Sequence, residues 1–206
     1  MTTRPLFPLF LKLENRSCLV VGGASLLLPK LEGLIVAGAS IRLVSVGIEE
    51  DVRAFCATAG IHICQREFDS TDLDGITLVI AADRDQSINE LVFRESQRRG
   101  ILCNVVDQPA LCDFYYPAVV RRGHLQIAIS TGGQSPSLAS TIRADLEQQF
   151  GPDYADWVDA LGRARTRIFQ TRRASKQRTR LLKRIASKNS LERFRRSRRN
   201  GHEGAA

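Results

Sequence analysis

The sequence predicts an α/β protein with a parallel sheet in its first half, and three observations support this fold class. Short apolar runs alternate with stretches of helical spacing up to residue 106. Some of these runs, such as ITLVIAA at residues 76–82, are continuously apolar, which is typical of strands buried on both faces. The intervening helices of ordinary length fit right-handed crossovers between parallel strands.

The elements can be assigned in order along the chain. The first strand is predicted at residues 17–21, where it ends in Gly22-Gly23, and Gly38 terminates the helix that follows. An acidic loop is predicted at residues 69–75. Further strands are predicted at residues 40–46, 61–64, 76–82 and 101–106, and helices at 24–37, 49–58 and 86–98.

The pattern changes after residue 107. A proline interrupts the apolar run at residues 113–122, and another strand is predicted at 125–130. Ser135 is suited to cap a helix over residues 137–150, with Pro136 at its first position. A further helical region begins at Pro152 and extends through Ile168.

Charge divides the chain into two parts. Residues 1–160 carry 14 Lys and Arg against 20 Asp and Glu, whereas residues 161–206 carry 16 against 2. The second part is therefore a cationic arm that will attract an anionic partner, such as nucleic acid, an acidic membrane or a polycarboxylate. From about residue 172 the arm is either a charged helix or disordered, and the last six residues are predicted to be loose.

The cysteines and the apolar runs indicate a cytoplasmic protein without a membrane span. The five cysteines show no metal-ligand spacing, and Cys18 and Cys103 lie within predicted strands, so reduced buried thiols explain them better than disulfides or zinc. The longest uncharged apolar stretch, residues 17–29, is too short to cross a bilayer. No signal peptide is predicted at the apolar run of residues 6–11.

A single carboxylate ends the last strand of the predicted sheet. The run NVVD at residues 104–107 is followed by Gln108-Pro109, which stops the strand and leaves Asp107 at its carboxyl end. Ligands bind at that edge of open α/β sheets, so Asp107 is a candidate catalytic residue. The alternative is that its carboxylate caps the next turn.

Two glycine-rich turns are candidate anion sites. In GGASLL, residues 22–27, only the first special position of the dinucleotide fingerprint is glycine, because Ala24 stands at the second and Leu27 at the third. A plain strand-to-helix turn is the alternative, and Pro29 would cost the helix a hydrogen bond. STGGQSP at residues 130–136 suits an anion or carboxylate, or is a flexible loop before a capped helix.

Taken together, these motifs resemble the precorrin-2 dehydrogenase / sirohydrochlorin ferrochelatase family, the N-terminal module of siroheme synthase. The shared pieces follow the family's order over residues 1–165, and the segment from Asn104 to Arg143 is the most specific. The pieces are PLF (5–7), CLVVGG (18–23), AGA (37–39), LVIAA (78–82), Asn89, NVVD (104–107), Phe114, PA (117–118), IAISTGG (127–133), SP (135–136), LA (138–139) and IR (142–143).

The resemblance implies an NAD-binding, Rossmann-like parallel sheet in residues 1–112. It also implies a small α+β dimerisation segment in residues 113–150 and a basic helical region with a disordered end in residues 151–206. Members of this family are homodimers that oxidise precorrin-2 to sirohydrochlorin with NAD, and many then insert Fe²⁺ to give siroheme. The expected protein has a tetrapyrrole substrate, no membrane partner, and no resident metal, with Fe²⁺ only a transient substrate.

The motifs and the resemblance together predict the site residues. Asp107 is the expected acid/base in both steps. The expected NAD-binding residues are Gly22, Gly23, Ala24, Ser25, Leu26, Val46, Gly47, Ala81 and Ala82. The expected tetrapyrrole-binding residues are Asn104, Ser130, Thr131, Gly132, Gly133 and Ser135.

The nucleotide half departs from the family's pattern at four positions. At the positions of Ala24, Leu27, Pro29 and Asp83, the family usually has glycine, a small residue, arginine and threonine, respectively. These changes predict weakened NAD binding, and they leave a chelatase-only or non-catalytic tetrapyrrole-binding homologue as the alternative. A nucleic-acid-binding protein is the alternative of another class, but the basic arm has few aromatic residues for base stacking.

Overall fold

The computed structural model describes residues 5–171 and 176–203, with only the backbone described for 199–203. The chain divides into two compact units, Met1–Tyr116 and Pro117–Ala206. None of the helices in the described part of the chain is long and apolar enough to cross a membrane.

The first unit is a parallel sheet with helices, which confirms the predicted fold class. The strand order is β3-β2-β1-β4-β5, and all neighbours are parallel. The order reverses between β1 and β4, as in doubly wound sheets. The strands are β1 (Ser17–Val21), β2 (Ser40–Val44), β3 (His62–Cys64), β4 (Leu78–Ala81) and β5 (Leu102–Val105), and the helices are α1 (Leu28–Val36), α2 (Glu50–Ala59) and α3 (Gln86–Arg99).

The central strands are apolar at successive positions because both faces of the sheet are buried, each against a separate hydrophobic core. In β1, Val20 belongs to the core that includes residues of α1 and α2, whereas Leu19 belongs to the core that includes Val92 of α3. Burial raises the pKa of Cys18 to about 11 and that of Cys103 to about 12, so both thiols stay protonated at neutral pH. All five cysteines are free.

The helix after β1 begins later than its apolar spacing predicts. A 3₁₀ turn occupies Ser25–Leu27, and α1 begins at Leu28. Pro29 therefore lies in the first turn of α1, where the backbone N–H groups have no intrahelical acceptor. The predicted loss of a hydrogen bond at Pro29 is wrong. Leu27 is fully buried in the core, so its bulk is accommodated at this turn.

The described residues of the second unit form a β-hairpin and four helices. Ser135 caps the first helix by accepting the Leu138 backbone N–H at 3.2 Å, as predicted. The described residues of the basic arm are mostly helical, so residues 201–203 of the predicted loose end are in a helix, whereas residues 172–175 and 204–206 lie outside the described residues. The elements are the antiparallel strands β6 (Ala118–Arg122) and β7 (Leu125–Ile129), and the helices α4 (Pro136–Gln149), α5 (Asp153–Thr171), α6 (Lys176–Ile185) and α7 (Lys188–Glu203).

A buried carboxylate organises the connection between β3 and β4. Asp72 is only 4% exposed, and it accepts two hydrogen bonds from the Arg66 guanidinium, at 2.7 and 2.8 Å. It also accepts the Asp69 backbone N–H at 3.0 Å. The hydrogen bonds from Arg66 are the main cause that lowers the pKa of Asp72.

We expect Asp72→Asn to lower the free energy of unfolding by roughly 2 kcal/mol at pH 7, because it removes a buried, hydrogen-bonded charge. The pKa of Asp72 is lowered by folding, so its stabilisation is present above its unfolded value of 3.8 and is lost as the pH falls through the folded value. The variant should therefore lose less stability than the wild type during acidification below pH 4.

Urea denaturation at several pH values measures both effects. Asp74→Asn is the matched control, because Asp74 is 70% exposed and pairs with Arg99 at the surface. That substitution should change stability by less than about 1 kcal/mol. Equal losses in the two variants would contradict a structural role for the Asp72 pair.

Candidate functional site

A cleft of about 410 Å³ lies at the carboxyl ends of β1, β2 and β4. This is the position where the strand order reverses, and ligands of open α/β sheets bind there. Its walls come from the loops that follow these three strands, from residues 66–68 after β3, and from Ile88 of α3. Four predicted NAD-binding residues line it, namely Gly23, Ala24, Val46 and Gly47.

The two glycines after β1 are required by the close approach of neighbouring loops. Gly22 has a φ of +119°, and a Cβ there would lie 2.4 Å from the Ala82 carbonyl oxygen. A Cβ on Gly23 would lie 2.1 Å from the Gly47 carbonyl oxygen. Ala24 has a φ of −86°, an extended conformation that does not need glycine. The Gly22-Gly23 pair is thus explained by the protein's own backbone before any ligand is considered.

The turn after β1 offers hydrogen-bond donors to the cleft. Among the described residues, the backbone N–H groups of Gly23 and Ala24 donate to no acceptor. The next N–H, that of Ser25, donates to the Glu49 carboxylate at 2.9 Å, and the Ser25 hydroxyl donates to the same oxygen. The turn therefore fits an anion, although one of its three amides is already bonded to a side chain.

The remaining predicted cofactor residues lie beside or behind the cleft. Ala81 is fully buried in β4, and Ala82 is 9% exposed, so these two contribute backbone and packing. Leu26 is 44% exposed on the 3₁₀ turn. Gly22, Ser25, Leu26, Ala81 and Ala82 are not among the residues that line the cleft.

The side chains around the cleft are mainly acidic. Four carboxylates and two guanidinium groups line it, and each guanidinium is already paired. Arg66 bonds Asp72, and Arg84 donates to Glu49 at 2.8 Å. The shape of the cleft and the unbonded backbone N–H groups of Gly23 and Ala24 suit a dinucleotide. The negative charge of the lining opposes the binding of additional phosphate groups. The carboxylates belong to Glu49, Glu67, Asp83 and Asp85.

Sequence reasoning missed the role of Glu49. The sequence predicts only that a helix begins at this residue, whereas the structure places its carboxylate at the turn after β1. The hydrogen bond from the Ser25 hydroxyl is the main cause that lowers the pKa of Glu49 to about 2, and the Ser25 amide and Arg84 contribute. The one signal in the sequence is the position of an acidic residue shortly after the second strand.

Asp107 lies two residues beyond the end of β5. Its side chain is exposed and makes no hydrogen bond or ion pair within the described residues. Asp107 lies within a turn that is closed by the Gln108 backbone N–H, which donates to the Val105 carbonyl, and its carboxylate accepts no backbone N–H of the described residues, so the alternative role as a cap is not observed. Asp107 has a φ of +61°, a left-handed conformation that Asp and Asn tolerate better than most residues.

Asn104 holds the segment that follows β5. It is 7% exposed, and its Nδ2 donates to the Phe114 carbonyl at 2.8 Å. The same nitrogen lies 3.3 Å from the Cys112 sulfur. The amide of Asn104 therefore supports the loop beside Asp107, and its predicted contact with substrate stays a prediction.

The glycine-rich loop of the second unit is open to solvent. Gly132 and Gly133 have φ values of +62° and +82°, and a Cβ on either would meet nothing within 4 Å. These glycines are needed for the left-handed backbone rather than for lack of space. The hydroxyl groups of Ser130, Thr131 and Ser135 each accept a backbone N–H of the loop or of α4. The loop is thus shaped by its own hydrogen bonds, and its predicted contact with tetrapyrrole stays a prediction.

No group of three or more His, Cys, Asp or Glu side chains in the described part of the chain is placed to hold a metal ion.

The fold and the cleft define a Rossmann-like protein of the NAD(P)-binding class. A family described as "Putative NAD(P)-binding" matches residues 9–118, which is more than half of the chain. A second family, "Sirohaem biosynthesis protein central", matches residues 122–149. The chain belongs to the first of these families, and the two matches together confirm the resemblance found in its motifs.

Known relatives agree with this assignment. The chain is 41% identical over 163 residues to a siroheme synthase of Ectopseudomonas mendocina (strain ymp), covering 79% of this chain and 35% of the relative. It is 40% identical over 161 residues to a siroheme synthase of Pseudomonas fluorescens (strain SBW25), covering 78% and 35%. The chain spans about a third of the length of these curated relatives.

A solved structure shares the fold. SirC, a precorrin-2 dehydrogenase, superposes with a TM-score of 0.74 at 24% identity, covering 93% of this chain and 98% of that one. At this level of identity the likeness establishes the fold.

We expect Ala24→Gly to tighten NAD binding by about 1 kcal/mol, the value of one recovered hydrogen bond. The reason is that the methyl group of Ala24 lines the cleft beside its own unbonded N–H. Isothermal titration calorimetry would measure the change.

Ala59→Gly is a suitable control, because Ala59 is exposed at the end of α2, away from the cleft. An equal affinity in Ala24→Gly and the wild type would show that the methyl group is not an obstacle to the nucleotide.

Proposed function

We propose that the protein is an NAD-dependent precorrin-2 dehydrogenase that forms sirohydrochlorin in siroheme biosynthesis. The observation that supports this most directly is the placement of an unbonded carboxylate at the edge of the sheet that also carries the nucleotide cleft. Asp107 follows β5, and β5 pairs with β4, whose loop lines the cleft. A dehydrogenase acting on a macrocycle needs both a nucleotide site and a nearby base.

NAD, when bound, would accept the hydride that leaves precorrin-2. The amides of Gly23 and Ala24 are the donors available to its phosphates, and Val46 and Gly47 would form the wall of its site. The acidic lining favours NAD over NADP, because a further phosphate would meet like charge. The carboxylate of Asp107 would receive the proton that the macrocycle loses together with the hydride.

Ferrochelation of sirohydrochlorin is a second candidate activity. Two pyrrole protons must leave when Fe²⁺ enters as a substrate, and this step needs a base but no nucleotide. Asp107 does not line the cleft, and its side chain has no partner in the described part of the chain. The Asp107 carboxylate is therefore available as the base for metal insertion whether or not NAD is bound, which supports chelation as a separate activity.

The second unit carries charge that suits a polycarboxylate substrate. Residues 176–198 include ten Lys and Arg and one Glu. Cations at this density would attract a tetrapyrrole with about eight carboxylates through long-range electrostatics. The free thiols fit the reducing cytoplasm, where we place the protein.

A direct assay tests the function. Precorrin-2 and NAD are added to the purified protein, and the absorbance of sirohydrochlorin is followed, with a reaction lacking NAD as the control. Fe²⁺ in a second reaction tests chelation. Absence of sirohydrochlorin at millimolar NAD would contradict the dehydrogenase activity, whereas chelation could still be observed.

We expect Asp107→Asn to lower turnover in both assays by at least about a hundredfold, because it removes the acid/base. Asparagine tolerates the left-handed backbone at this position, so the fold should be preserved. Circular dichroism would check the fold beside the two rate measurements.

Two further variants complete this test. Asp107→Gly also accommodates the backbone and should be equally inactive, whereas Glu90→Gln removes an exposed carboxylate from α3 and should keep its activity. Rates near the wild-type value in Asp107→Asn would remove this residue from the mechanism.

We also infer that the protein is a homodimer assembled through residues 113–150. Leu138 is 51% exposed on α4, and the apolar residues Val119, Ile127 and Ile129 of the hairpin are only partly buried in one copy of the chain. Apolar surface of this kind is often covered by a second subunit.

Sedimentation velocity at micromolar concentration should give twice the mass of the chain. Leu138→Glu should shift the protein towards the monomer, because it places a charge in the interface. Ser137→Glu adds the same charge at the adjacent exposed position without removing an apolar side chain, and it serves as the control. A wild-type monomer would contradict the assembly.

A further inference from the structure

The Glu49 carboxylate joins three loops at the cleft. Its Oε2 accepts the Ser25 backbone N–H at 2.9 Å and also the Ser25 hydroxyl, and its Oε1 accepts the Arg84 guanidinium at 2.8 Å. Its backbone N–H donates to the Gly23 carbonyl at 2.9 Å. The loops after β1, β2 and β4 therefore meet at this one side chain.

The Glu49 carboxylate accepts a hydrogen bond from the Ser25 backbone N–H, a donor that would otherwise be available to a phosphate. The amides of Gly23, Ala24 and Ser25 are consecutive in the turn after β1, and only that of Ser25 is bonded within the described residues. Carboxylate and phosphate oxygens are both charged acceptors that favour the same N–H and guanidinium donors. A phosphate at this turn must therefore use two amides beside a fixed negative charge, or it must displace Glu49.

The Glu49 side chain is exposed enough to be displaced from the Ser25 amide. The side chains of Arg84 and Glu49 are 82% and 37% exposed, so both can turn towards solvent. Glu49 makes no side-chain hydrogen bond that caps α2, so its departure leaves that helix unchanged. Arg84, once released from Glu49, is free to pair with a phosphate.

We propose that Glu49 is an internal competitor for the dinucleotide, and that binding moves its carboxylate off Ser25 and transfers Arg84 to the pyrophosphate. This inference rests on the NAD binding proposed above. It makes Glu49 a determinant of nucleotide affinity, and not a catalytic residue.

The charge around the cleft favours competition over a supporting role. Glu67, Asp83 and Asp85 also line it, so a pyrophosphate that entered while Glu49 stayed in place would add to an acidic cluster. The pKa of Glu49 is lowered to about 2 by Ser25 and Arg84, so the competing group is ionised at neutral pH. If Glu49 only held the turn in a binding-competent shape, its removal would weaken NAD binding instead.

Glu49→Gln and Glu49→Ala separate these two roles. We expect Glu49→Ala to lower the Kd for NAD by about tenfold, which corresponds to about 1.4 kcal/mol, and Glu49→Gln to lower it by less, because the glutamine is neutral but can still accept from the Ser25 amide. Glu50→Gln is the matched control, because it removes an adjacent, exposed carboxylate that does not line the cleft, and it should leave the Kd unchanged. Thermal unfolding of each variant checks the fold, and the glutamine retains an acceptor for the Ser25 amide.

A second readout follows the Ser25 amide itself. Its ¹⁵N–¹H resonance should shift when NAD is added to the wild type, because its acceptor changes from carboxylate to phosphate. In Glu49→Ala the resonance of the free protein should already differ from that of the wild type.

Three outcomes are distinguishable. Tighter binding in both Glu49 variants, with a shift of the Ser25 amide, supports the inference. An unchanged or higher Kd in these variants, while the wild type binds NAD, overturns the inference and leaves the proposed function intact. Failure of every form to bind NAD at millimolar concentration overturns both.

Discussion

The structure depends on the close approach of three loops at the carboxyl edge of the parallel sheet. Gly22 lies against the backbone after β4 and Gly23 against the backbone after β2, with no room for a Cβ at either position. This contact fixes the turn after β1 relative to both neighbouring strands. The cleft, its free amides and the position of Glu49 follow from it, because each lies on one of these loops. The sheet can maintain the contact since its central strands are buried on both faces and cannot slide without exposing apolar surface.

The part of the fold that the sequence predicts well depends on local patterns. The apolar run of β1 and the helical spacing of α2 and α3 locate these elements to within a few residues. The cap at Ser135 is also local, because a hydroxyl followed by proline is sufficient to indicate it. The start of α1 is less predictable, since a 3₁₀ turn and an α-helix share similar apolar spacing over three residues.

The candidate site is only partly predictable, because its decisive contacts join residues far apart in the chain. Asp107 can be found from its place after a strand, and the glycine turn from its composition. The hydrogen bond between Ser25 and Glu49 spans 24 residues, and no pattern in the sequence specifies it. The same is true of the two glycines, since sequence reasoning assigns them to a phosphate and the structure shows that neighbouring backbone already requires them. Asn104 is a similar case, because a polar residue in a strand resembles a ligand until its bond to Phe114 is seen.

The distribution of charge explains how one chain could treat two anionic ligands differently. Residues 1–116 carry 11 Lys and Arg against 15 Asp and Glu, and residues 117–206 carry 19 against 7. A dinucleotide bears few charges and meets an acidic cleft, so its affinity depends on short-range hydrogen bonds to a few amides. A tetrapyrrole with about eight carboxylates, the substrate proposed above, would be attracted by those basic residues that lie within a Debye length of it, about 8 Å at physiological salt. If the proposed function holds, substitutions at Glu49 and Ala24 would change nucleotide affinity without changing the attraction of the substrate. Under the function proposed above, the acidic lining is compatible with NAD because its binding needs only local hydrogen bonds, while the basic residues of the second unit would attract the substrate.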